Sequence, residues 1–157
     1  MTEPRPRHIL VAALGATLRG DDGFGPKLLA RIARRLPPLV CGRDFGTHGL
    51  ALVQALFDRF DVLLILDACR RGGRPGTIYT LRPAVVDRLD SPSVHLTGPG
   101  AVLSLASNLG VLPPDVWLIG CEPADVSDYR RRLSRPVRRA MPHAAQTLCA
   151  LIGRVST

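Results

Sequence analysis

No apolar run in this 157-residue chain approaches the roughly 20 residues that a membrane-crossing helix needs. The stretch 91–114 carries no Asp, Glu, Lys or Arg, but it holds four Pro, three Gly, a His and an Asn, so it is not a membrane helix. ILVAAL at 9–14 follows two Arg and precedes small residues. It is too short for a signal peptide, and Arg19, Asp21 and Asp22 come directly after. The expectation is a soluble, cytoplasmic protein. Cysteine is also sparse. Cys41, Cys69, Cys121 and Cys149 are far apart and form no C-x-x-C pair. That excludes a disulfide scaffold, a cysteine zinc site and a redox dithiol, and it suits a reducing compartment. Aromatics are scarcer still: four Phe, two Tyr and one Trp offer little on which to stack bases.

Lysine is nearly absent. Lys27 is the only one, against 20 Arg, and the formal net charge is +8. Arg130, Arg131, Arg132, Arg135, Arg138 and Arg139 fall within ten residues. Such a cluster fits a solvated loop and helix start, and it can also attract nucleic acid or an acidic protein face. Against these scarcities stand 46% hydrophobic residues, enough to exclude disorder. A chain of this length forms one domain, 1–157, and buries roughly 68–70% of its unfolded surface.

Short apolar runs alternate with helical patterns. Residues 8–14 (HILVAAL), 39–45 (LVCGRDF), 61–67 (DVLLILD) and 115–120 (DVWLIG) read as buried strands, and 77–82 (TIYTLR) as an edge strand. Helical spacing places Leu28, Leu29, Ile32, Ala33 and Leu36 on one face of 26–36, with Pro26 in the first turn. Further helices are expected at 50–58, 98–109 and 134–153. The last has Ser134 as its cap and a kink at Pro142. The predicted fold is α/β: a three-layer, doubly wound, mostly parallel sheet of about five strands with helices on both faces.

Ligands of such sheets bind beyond the carboxyl ends of the strands. Asp21 and Asp22 follow the first strand, Asp44 ends the second, Asp67 ends the third, and Glu122 follows the strand at 115–120. Gathered carboxylates repel one another and lose hydration, a cost that a cation or acid–base work relieves. Asp22 could otherwise cap the helix near Gly25, and Asp44 could brace the Gly46-Thr47 turn. Asp67 is harder to explain away, because it follows five apolar residues at the edge of the core. His95 precedes a helix, and with two carboxylates it would complete a transition-metal ligand set. His48, in a Gly-flanked turn, is a lesser candidate. The glycines at 15, 20, 23 and 25 meet neither nucleotide-loop spacing.

Five segments in order, GATLRGDDGFG at 15–25, DFGTHG at 44–49, LILDACRRGGRPGT at 66–77, the His95 region and LIGCEP at 118–123, resemble the hydrogenase maturation proteases. The resemblance runs from about His8 to Val155. It implies an endopeptidase that removes the C-terminal extension of a nickel–iron hydrogenase large subunit after nickel insertion. It further implies that Asp22, Asp67 and His95 converge as the metal-recognition and catalytic set. The nickel would be supplied by the substrate rather than held tightly, with the sulfur ligands coming from the substrate's cysteines. The partner is then the precursor large subunit, met by a monomeric protease with no membrane or nucleic-acid partner. Whether nickel or a carboxylate, in an aspartic-type mechanism, activates the attacking water stays open. The first motif reads Gly15-Ala16 where the family usually has Gly-Asn. A second reading is a non-catalytic assembly chaperone that binds the precursor. A third, a nucleic-acid-binding domain, rests on the arginine cluster alone.

Overall fold

The computed structural model describes residues 5–83 and 98–157. Its strands are β1 (Ile9–Leu14), β2 (Val40–Gly46), β3 (Val62–Ala68), β4 (Ile78–Leu81) and β5 (Asp115–Cys121). Its α-helices are α1 (Phe24–Ile32), α2 (Gly49–Ala55), α3 (Pro99–Asn108) and α4 (Arg135–Val155). The strands form one sheet in the order β2-β1-β3-β5-β4. The pairings β2-β1, β1-β3 and β3-β5 are parallel; β4 lies at the edge, as its alternating sequence predicts, and pairs antiparallel with β5.

The central strands are continuous apolar runs because helices cover both of their faces. In β1, Ile9, Val11 and Ala13 face α1 and α4, packing with Phe24, Leu28, Ile32, Val137 and Leu148. Leu10, Ala12 and Leu14 face the other way, toward Leu52 and Leu56 after β2 and Val102 and Leu103 of α3. The same alternation runs along β3, where Leu64 and Ile65 are fully buried on opposite faces. Truncating such a leucine to Ala costs about 2–5 kcal/mol. This is the expected three-layer, doubly wound arrangement.

Two local details differ from the sequence pattern. Helix α1 starts at Phe24, earlier than Pro26, and passes into a 3-10 turn at Ala33–Arg35 before Pro37. Helix α4 continues as one element through Pro142, where the pattern predicts a kink. The apolar stripe lies on both sides of the proline, with Val137 and Met141 before it and Ala144 and Leu148 after it, all seated on the sheet. That burial outweighs the single backbone hydrogen bond a proline removes.

The chain leaves β1 for β2 on one side and later returns to place β3 on the other. The strand order therefore reverses between β1 and β3, and the crevice beyond their carboxyl ends is where open α/β sheets bind ligands.

Candidate functional site

The loop after β1 is shaped by glycines. Gly15 has a φ of +118°, and a Cβ there would overlap the Asp22 carbonyl. Its N–H donates to the Gly46 carbonyl at 2.8 Å, tying the loops after β1 and β2 together. Gly25 lies at the base of the crevice. A Cβ there would sit 2.6 Å from the Leu14 carbonyl oxygen and closer still to that of Leu66. Only glycine lets α1 begin this near the ends of β1 and β3.

Asp22 sits in the 3-10 turn Gly20–Gly23. It does not cap α1, whose N-terminal Gly23 has no side-chain cap. Its carboxylate turns back and accepts the Ala16 N–H at 2.7 Å. A backbone donor does this, so the alanine in place of the usual asparagine leaves the contact intact.

Asp67 closes β3 and is 8% exposed. Burial pushes its pKa from 3.8 up to about 7; repulsion from Asp22 adds to the rise, and the Ala68 N–H partly counters it. Asp22 and Asp67 thus share the crevice at the point where the strand order reverses, and the Asp22 charge makes ionisation of Asp67 costlier. His95, the third predicted ligand, lies outside the described residues, 5–83 and 98–157. Among those residues no group of three or more His, Cys, Asp or Glu could hold a metal ion.

The other acidic candidates are structural. Asp21 is fully buried and accepts four hydrogen bonds, from the Ala124, Asp125 and Ser134 N–H groups and the Ser134 hydroxyl, at 2.7–2.9 Å. Ser134 does begin α4, but its hydroxyl serves Asp21 rather than the helix. Asp44 accepts the Gly46 N–H at 2.9 Å, the expected Asx-type brace. Glu122 is 5% exposed and accepts the Arg71 N–H and the Tyr79 hydroxyl, both at 2.8 Å. The Arg71 N–H foremost holds its carboxyl below the usual range. Glu122 fastens the loop between β3 and β4, a role no local sequence signal announces. His48 is exposed at the start of α2. Burial pushes the Cys121 thiol up to about 12 and also raises that of Cys69, so neither is a thiolate nucleophile at neutral pH.

A family model described as hydrogenase maturation protease matches residues 28–151. The chain is 35% identical over 156 residues to the hydrogenase expression/formation protein HupD of Bradyrhizobium diazoefficiens, spanning 96% of this chain and 81% of that protein. The chain belongs to the hydrogenase maturation proteases. This maturation protease is also 38% identical over 149 residues to HupD of Rhizobium leguminosarum bv. viciae, spanning 92% of this chain and 73% of that one. It superposes on the hydrogenase maturating endopeptidase HybD of E. coli with a TM-score of 0.80 and 28% identity, covering 94% and 93% of the two chains. A hydrogenase 2 maturation peptidase from a Thaumarchaeota archaeon gives a TM-score of 0.70 at 29% identity, over 94% of this chain and 99% of that one. None of the protease's described helices is long and apolar enough to cross a membrane.

Proposed function

We propose that this maturation protease removes a C-terminal extension from the large subunit of a nickel–iron hydrogenase once nickel is in place. In this reading Asp22, Asp67 and His95 meet the nickel that the substrate carries, and the reaction takes place in the cytoplasm. The observation that carries it is the pair Asp22 and Asp67 at the strand-order reversal of a protease-family fold. Two oxygen donors and an imidazole suit a borderline divalent metal whose remaining ligands are the substrate's own thiolates. With its pKa near 7, Asp67 is partly protonated at neutral pH. Docking a divalent cation against it favours the ionised form and releases a proton. Between dockings the protonated form spares the crevice two adjacent charges.

Incubating the protein with nickel-loaded precursor, and with the same precursor lacking nickel, tests the reading. Mass spectrometry of the large subunit is expected to show loss of the C-terminal peptide only with nickel present. Stable binding of loaded precursor without any cleavage would replace the proposal with an assembly chaperone.

A further inference from the structure

The arginine cluster, which neither the fold nor the carboxylate pair uses, folds into two adjoining shallow grooves. One, of ≈ 460 Å³, is lined by Arg131, Arg132, Arg135 and Arg138 together with Tyr129. The other, of ≈ 360 Å³, shares Arg131, Arg132 and Arg138 and adds Lys27 from α1. The acidic side chains that touch this segment or flank it in sequence are already engaged: Asp125 pairs with Arg130 at 3.0 Å, Asp128 with Arg19 at 2.8 Å, and the buried Asp21, which holds Ser134, is spent on its four donors. Arg131, Arg132, Arg135 and Arg138 are exposed and have no ion pair among the described residues.

The groove is also held in place. The Arg130 carbonyl accepts the Gly20 N–H at 2.8 Å, and the Arg131 carbonyl accepts the Lys27 ammonium. Asp21, beneath it, grips Ser134 at 2.7 Å. The basic segment is therefore bound to the same loop that presents Asp22.

We propose that this groove receives an acidic segment of the precursor large subunit while its metal centre sits against Asp22 and Asp67. This rests on the processing reading above. The concentrated positive charge suits carboxylates, and any C-terminal extension contributes at least its terminal carboxylate. Tyr129 is the one aromatic side chain lining the groove, which disfavours the stacked bases of a single strand. Unneutralised charge beside a site steers encounter and raises the association rate, and salt weakens it.

The test compares wild type with the combined variants Arg131→Gln, Arg132→Gln, Arg138→Gln and Arg131→Lys, Arg132→Lys, Arg138→Lys. Single-turnover processing of nickel-loaded precursor is followed across a salt series, with melting curves for each protein. The glutamine variant is expected to lose about tenfold or more in second-order rate at low salt, and the gap should close by about 0.5 M salt. The lysine variant keeps most of the rate. Fluorescein-labelled oligo-glutamate is expected to bind wild type and not the glutamine variant, and oligodeoxythymidine of equal charge to bind wild type more weakly than oligo-glutamate. Equal low-salt rates for wild type and the glutamine variant overturn the proposal, as does an equal loss in the lysine variant. Tighter binding of oligodeoxythymidine overturns it in favour of a nucleic-acid groove. The two readings fail separately. If wild type binds the precursor through these arginines but leaves it uncut, the groove stands and the processing reading falls. If all three proteins cut at equal rates, the groove falls and processing stands.

Discussion

The Asp21 carboxylate holds both the backbone N–H and the hydroxyl of Ser134, 113 residues away, at 2.7 and 2.8 Å. It accepts the Ala124 and Asp125 N–H groups as well, so one buried side chain joins the loops after β1 and β5 to the start of α4. Asp21→Ala is expected to cost about 3 kcal/mol or more, since it orphans several donors at once. Ser134→Ala removes only the hydroxyl, leaves the backbone bond in place, and should cost about 1 kcal/mol. Urea denaturation of the two variants checks the ratio.

Asp67 makes the stability of the metal-free protein depend on pH. Its folded pKa, about 7, lies above the ordinary 3.8, so between these values the folded state keeps a proton that the unfolded chain has lost. Ionising it in the fold therefore destabilises: the penalty is absent below the ordinary value, grows as pH rises, and is complete above about 7. Asp67→Asn removes it. The variant should gain stability over wild type progressively from about pH 4 to 7, reaching on the order of 4 kcal/mol, and stay level above that. Denaturation of both proteins in chelator across this range checks the sign; a constant difference would mean that Asp67 does not titrate there.

Repulsion from Asp22 contributes to that rise, second to burial. Asp22→Asn should therefore lower the Asp67 pKa without returning it to the ordinary value. Carbon-13 titration of the aspartate carboxyls reads this directly. Either substitution should slow single-turnover processing about 100-fold or more, the scale for losing a positioned acid–base group. Wild-type processing should rise with pH as Asp67 ionises.

Gly25 lies in the first turn of α1, where alanine is ordinarily better than glycine by about 1 kcal/mol. Here the new Cβ meets the Leu14 and Leu66 carbonyl oxygens. Gly25→Ala is expected to destabilise by about 1–3 kcal/mol, seen as a lowered Tm. A raised Tm would show that α1 can back away from the strand ends.

Much of the fold is legible in the sequence because its central strands lie between two helical layers. ILVAAL and VLLIL have no polar face, so they announce strands covered on both sides. A carboxylate directly after such a run, as at Asp67, stands out on the same ground. Asp21 and Asp22 are a different matter. They are adjacent, identical in chemistry and surrounded by the same glycines, and nothing local separates the buried brace from the crevice carboxylate.

The sequence by itself determined the alternation of strands and helices, the sheet's two covered faces and the carboxylates at its strand ends, because apolar periodicity and chain order are local properties. Which partners each carboxylate meets is set by the tertiary structure alone. Asp21 meets Ala124, Asp125 and Ser134; Glu122 meets Arg71 and Tyr79; Asp22 turns to Ala16 and faces Asp67. Partners as far as 113 residues apart are brought together only when the sheet closes. A carboxylate's burial, donors and neighbouring charge, which set whether it braces or reacts, exist only after that closure.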